Sequence, residues 1–157
     1  MNGYPQTVVI RHRKENLKKC SLRGLESRND LYFYTYPIDE VPSLEGGILL
    51  SMEGSVLSED DSSKPLILVD GTWRYAARME KNISVLSGLE RRSLPSGFKS
   101  AYPRSQEDCV DPSRGLASVE ALYLAYYFLK RPVEGLLEYY YWKDLFLKTN
   151  NLGDYKR

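Results

Sequence analysis

Asp70 stands at the end of an apolar run, Leu66-Ile-Leu-Val69, and is followed by Gly71, Thr72 and Trp73. A short apolar run bounded by turn residues reads as a buried strand, and open parallel sheets bind ligands at the carboxyl ends of their strands. A carboxylate at that place either caps the helix that follows or serves a bound group as base or charge partner. Trp73 carries the same pair of readings, core packing or the wall of a pocket for a flat ring. Gly47-Ile-Leu-Leu-Ser-Met-Glu-Gly54 is a second strand end running into a glycine turn. Gly115-Leu-Ala-Ser-Val-Glu-Ala-Leu122 puts a glycine loop before a helix, where free amides can meet an anion or a carboxylate. The plainer reading of that third segment is that Ser118 caps the helix and Glu120 favours its dipole.

Several chemistries are disfavoured by what is scarce. His12 is the single histidine, so a histidine-rich metal centre is ruled out and a Ser-His-Asp triad would have to use it as base. Cys20 and Cys109 lack the paired spacing of a zinc site and are too few for a disulfide scaffold. No metal is expected. The chain has no P-loop and no G-x-G-x-x-G. It also lacks a run of apolar residues long enough for a membrane span, and its first residues do not resemble a signal peptide, which leads to an expected cytoplasmic location.

Net charge is +1, yet the charges are unevenly placed. Residues 1–30 hold seven Lys and Arg against three Asp and Glu, and 64–104 hold eight against three. Between them, residues 31–63 hold no Lys or Arg against seven acidic residues. The two basic blocks form one face if the fold brings them together; otherwise they are ordinary solvated surface.

The elements that must position these residues follow from periodicity. Strands are expected over 7–11, 31–35, 47–51 and 66–70, with a weaker one at 91–94. The third and fourth are apolar throughout, as in a parallel sheet covered on both faces. Helices are expected over 16–25, 72–82, 116–129 and 133–147, with the tyrosines at 139–141 leaning toward the core. Residues 95–115 carry Pro95, Gly97, Pro103, Pro112 and Gly115 without periodicity, a long loop of the kind usually tied to function. The 157 residues read as one α/β domain with helices packed on a mostly parallel sheet.

Asp70-Gly-Thr-Trp73 resembles the Asp-x-Ser/Thr-Trp signature of the DTW-domain proteins and the related ribosome-biogenesis aminocarboxypropyltransferases. Three further stretches resemble that superfamily in the right order: Lys18-Lys-Cys-Ser21, Leu49-Leu-Ser51 with Asp60 and Asp61, and Ala101-Tyr-Pro103 with 115–122. The likeness spans roughly residues 15–130. Met52 and Tyr102 depart from the ribosomal branch, where proline and asparagine stand, and the cysteine-rich start of the tRNA-modifying branch is absent. Gly71-Thr72 is the DTW form.

The resemblance implies a SPOUT-like mostly parallel sheet with flanking helices and a C-terminal trefoil knot, with residues 94–115 wrapping S-adenosylmethionine. It implies cofactor contacts from Ser21, Leu50, Ser51, Thr72, Trp73, Leu94, Ala101, Leu116 and Ser118. The implied activity moves the 3-amino-3-carboxypropyl group to a uridine-type base in rRNA or tRNA and releases methylthioadenosine. Asp70 would be the base, or would hold the cofactor's amino group. RNA would approach over Arg11, Arg13, Lys14, Lys18, Lys19, Arg23, Arg74 and Arg78, with Lys81, Arg91 and Arg92 nearby. A SPOUT-type RNA methyltransferase on the same fold and a non-catalytic RNA-binding assembly factor are the alternatives. Oligomeric state is open, with a monomer the working expectation.

Overall fold

The computed structural model describes residues 3–14, 21–70, 73–101 and 116–152, with the backbone alone at 73–75. Five strands form one sheet in the order β2-β1-β4-β3-β5. They are β1 (Thr7–His12), β2 (Leu31–Tyr36), β3 (Ile48–Val56), β4 (Leu66–Asp70) and β5 (Glu90–Ser93). Every pairing is parallel, so all five carboxyl ends lie along one edge. The fold class expected from the apolar runs is the one observed. Threading of 94–115 into a knot falls largely on residues 102–115, which lie outside the described residues.

Alternation along the strands divides the core into two layers. Val9, Ile48, Leu66 and Leu68 face helix α3 (Ser118–Leu129) and the C-terminal segment. Ile10, Leu49 and Ile67 face Met79 of α1 (Trp73–Asn82) and Leu86 of the short α2 (Ser84–Ser87). Burying each of these aliphatic side chains contributes about 1.5–3 kcal/mol. Both faces of the sheet are thus covered, which is why β3 and β4 begin with unbroken apolar runs.

α3 forms because Leu, Ala and aromatic residues recur through it, and it buries Val119, Leu122, Tyr123, Tyr126 and Leu129. It stops at Lys130, whose φ of 64° is left-handed, and Pro132 follows two residues later. At the amino edge of the sheet, Asp30 accepts from Tyr4 and Tyr126 hydroxyls at 3.0 Å each and from both Nε and Nη2 of Arg28 at 2.9 Å. Burial alone would raise the Asp30 carboxyl; the Arg28 and tyrosine hydrogen bonds outweigh it and hold it below the usual range. This buried network ties β1, β2 and α3 together far from the strand carboxyl ends.

Three expected elements differ. Residues 21–24, placed in a helix over 16–25, form turns, because Gly24 takes φ +92° and a side chain there would strike the Tyr139 ring; 16–20 lie outside the described residues. β3 runs beyond 51 to Val56 by leaving Ser51 to Gly54 out of register between two pairings with Arg92. The helix expected over 133–147 is instead a series of turns followed by α4 (Lys143–Thr149). Gly135, at φ +83°, interrupts it, and the amides of Leu136, Glu138 and Tyr140 each bond three residues back. Of its three tyrosines only Tyr140 is buried, while Tyr139 and Tyr141 are 52% and 84% exposed.

Candidate functional site

Arg11 and Asp70 are direct register partners on β1 and β4, so their side chains leave the sheet on the same face, the one covered by α3. Arg11 Nε donates to Asp70 Oδ2 at 3.1 Å, and both side chains are almost fully enclosed. Ser118 Oγ, on the first turn of α3, donates to Asp70 Oδ1 at 2.7 Å. Asp70 therefore joins the ends of two strands to the start of a helix. Ser118, expected to cap α3, is inside the helix and spends its hydroxyl on Asp70, while Ala117 occupies the cap position.

The start of α3 is satisfied from elsewhere in the chain. Val119 N donates to Ser21 Oγ at 3.0 Å, across 98 residues of sequence. The 21–26 turn is held at its other end by Glu26, which accepts from Gly24 N at 2.9 Å and from Arg11 Nη1 at 3.1 Å. Burial would raise the Glu26 carboxyl, but backbone hydrogen bonds and the one from Arg11 prevail and hold it low. The Arg11 guanidinium also lies 4.7 Å from the centre of the Phe33 ring. Arg11 was expected among the cations facing RNA. The structure buries it as the partner of Asp70 and Glu26, because its position on β1 aims it into the sheet–helix layer.

Glu120, whose place on the first turn suggests a charge favouring the helix dipole and which falls in the family-like segment 115–122, is completely buried. Its Oε1 accepts from Ala117 N at 2.7 Å, and its Oε2 accepts from Ala101 N and from Tyr140 Oη, each at 2.7 Å. One carboxylate thus holds an amide on either side of residues 102–115. Each of these is a charge-assisted hydrogen bond. The sequence signal was a glutamate three residues into a helix facing apolar neighbours; nothing local indicated that two distant groups converge on it.

Leu50, Leu94, Ala101 and Leu116, which the resemblance places among the cofactor contacts, are all half-buried and pack against the same α3-side core. Ser51 sits in the β3 bulge, where its Oγ accepts from Glu53 N at 3.1 Å and from Arg91 Nη1 at 3.4 Å. Gly54 permits that bulge: its φ is +98°, and a Cβ there would collide with the Arg91 carbonyl. Thr72, Lys18 and Lys19 lie outside the described residues, as do the side chains of Trp73 and Arg74.

The remaining cations divide into two sets. Arg13, Lys14, Arg23, Arg78 and Lys81 are exposed. Arg91 pairs with Glu80 at 2.8 Å and Arg92 with Asp61 and Glu90 at 3.3 Å each, so neither is the open phosphate contact that its charge suggested. His12 closes β1 and is buried beside Tyr36. Its Nδ1 accepts from Lys14 N at 3.1 Å. Burial, and then the charges of Arg13, Lys14 and Arg78, push the imidazole below its ordinary value. Among the described residues there is no group of three or more potential metal ligands, and no helix long and apolar enough to cross a membrane.

No protein-family model and no curated protein matches the chain. Among solved structures it is similar to the SAM-dependent rRNA:acp-transferase Tsr3 from Vulcanisaeta distributa, with a TM-score of 0.70 and 23% sequence identity. That superposition covers 94% of this chain and 79% of the other, and it establishes that the two share a fold.

Proposed function

We propose that this chain binds S-adenosylmethionine at the carboxyl edge of its sheet and transfers the 3-amino-3-carboxypropyl group to a uridine-type base in RNA. In this reading the sheet is SPOUT-like and residues 94–115 complete a trefoil knot around the cofactor. The observation that carries it is convergence. Residues drawn from five separate stretches of sequence by the resemblance, around 21, 50, 70, 94–101 and 116–120, meet on one face of a sheet whose fold is shared with an RNA aminocarboxypropyltransferase.

The residues present suit such a ligand. Leu50, Leu94, Ala101 and Leu116 offer half-buried apolar surface for an adenine. Asp70, acceptor-only when ionised, is the local carboxylate suited to an amino group. When bound, the cofactor would supply a carbon activated by its sulfonium: the C–S bond would break as the base nitrogen forms the N–C bond, methylthioadenosine would leave, and the proton of that nitrogen would pass to water. The protein's work is then placement. Asp70, gripped by Arg11 and Ser118, is better built to fix the cofactor's amino group than to travel as a base, and we assign it the former role. Ser21 acts indirectly by holding the start of α3, and Glu120 acts by holding Ala101 and Ala117.

RNA would lie across Arg13, Lys14, Arg23 and Arg78, with Arg11 removed from that set. Contacts of this kind fix position without reading sequence and weaken as salt rises. rRNA is the first substrate to test. The decisive assay uses S-adenosylmethionine labelled separately on the methyl and on the carboxyl carbon, incubated with the protein and unmodified RNA. Carboxyl label entering RNA without methyl label is the expected result. Methyl label alone would replace the proposal with methyl transfer, and no transfer with intact RNA binding would favour an assembly factor.

A further inference from the structure

β2 is an edge strand, and its sequence Leu-Tyr-Phe-Tyr-Thr-Tyr places Tyr32, Tyr34 and Tyr36 on one face. Register pairs them with Val8, Ile10 and His12 of β1, which puts the three rings on the α1 side of the sheet, opposite Asp70. Tyr32 and Tyr34 lie with centroids 4.7 Å apart and planes tilted by 35°, and Tyr32 is half exposed. Tyr36 continues the row to His12, 5.7 Å away, and its hydroxyl accepts from Asn82 Nδ2 of α1 at 3.3 Å. Four residues of strand separate the first ring from the third, about 13 Å, or the length of two to three nucleotides. The row ends at the strand carboxyl ends, beside exposed Arg13, Lys14 and Arg78.

We propose that the Tyr32–Tyr34–Tyr36 row is a stacking platform for unpaired bases of the RNA strand, with Arg13, Lys14 and Arg78 holding the phosphates beyond Tyr36. Tyr32 is exposed while Tyr34 and Tyr36 are half-buried; rings with polar tips accept any base face, and a cluster of cations at one end gives the strand a direction. An aliphatic protein partner would have no use for that cluster. Asp39, the carboxylate that acts on Tyr34, is already held by the Thr35 amide at 2.8 Å. The platform rests on the RNA-directed reading above and adds to it a contact surface on the face of the sheet away from the cofactor.

The test is fluorescence anisotropy with a short labelled single-stranded RNA, using Tyr32→Ala, Tyr32→Leu and Tyr34→Ala beside Tyr32→Phe and Tyr34→Phe. Loss of one ring should weaken binding about tenfold, while the phenylalanine variants, which keep the ring, should bind as the unaltered protein does. The Tyr32→Leu variant separates stacking from simple apolar contact and should behave like Tyr32→Ala. Because Tyr32 lies at the edge and half in solvent, its variants should keep the melting temperature of the parent. Undiminished affinity in the alanine variants would overturn the platform. So would an affinity change that tracks a change of oligomeric state, since the row would then be a contact between copies. Cofactor titration is read separately: if S-adenosylmethionine fails to bind while the stacking pattern holds, the enzymatic reading falls and the platform stands.

Discussion

Asp70→Asn keeps the size of the side chain and an oxygen for the Ser118 hydroxyl, but removes the charge that faces the enclosed Arg11 guanidinium. Removing one partner of a buried ion pair costs about 3–5 kcal/mol, chiefly because the other charge is left uncompensated. Glu26 remains as a second carboxylate for Arg11, but its side chain is 43% exposed, so it shields less. The lower end, about 3 kcal/mol, is therefore expected. For a chain of this size that corresponds to a fall in melting temperature of roughly 6–12 °C. Arg11→Met should cost a similar amount by leaving Asp70 without its guanidinium. The double variant carries neither orphaned charge, so its loss should fall short of the sum by about 2 kcal/mol. Urea denaturation followed by circular dichroism measures all four corners of the cycle. A double variant whose loss equals the sum within about 0.5 kcal/mol would refute the ion pair as an energetic unit.

Glu120→Gln turns one of its two accepting oxygens into a donor and leaves at least one buried N–H or hydroxyl facing it, at about 1–3 kcal/mol. Below its melting temperature this variant should also bind S-adenosylmethionine more weakly than Tyr140→Phe, which removes the Tyr140 hydroxyl but keeps the Glu120 carboxylate on both alanine amides; equal cofactor affinity in calorimetric titration would count against the positioning role. Gly54→Ala should lose about 1–2 kcal/mol from its positive φ alone and more from the collision with the Arg91 carbonyl. Gly46→Ala, at φ +84° in open space, carries only the backbone part, so thermal melts of the two variants should differ; matching melts would show that the bulge yields. His12 is depressed in the folded chain, so the unfolded chain binds more protons between the folded value and 6.5. Its contribution is complete above that ordinary value and is lost as pH falls through the window down to the folded one. His12→Phe should therefore flatten the decline in melting temperature on acidification, and an unchanged slope would place the titration elsewhere.

Much of the scaffold was legible because it rests on local rules. Runs such as 66–69 are apolar at every position, and only a strand covered on both faces asks for that, so a parallel sheet with helices on each side followed. Asp70 could be singled out for the same reason, as a charge at the end of such a run. The failures share one cause. Leu136, Leu137 and Tyr140 are buried as a helix would bury them, yet Gly135 and a succession of tight turns reach the same burial without one. Periodicity reports which side chains go inside, and more than one backbone path can put them there.

The sequence by itself determined the strands, the class of fold and the address of the candidate site at the carboxyl ends. Only the tertiary structure decided what each charged group does there. Arg11 looked like a surface cation until register set it beside Asp70, and Arg91 and Arg92 until Glu80, Asp61 and Glu90 claimed them. Glu120 looked like a helix-end charge until Ala101 and Tyr140 arrived from 19 and 20 residues away. A charge's role is set by its partners and its burial, and both come from parts of the chain that no local window contains.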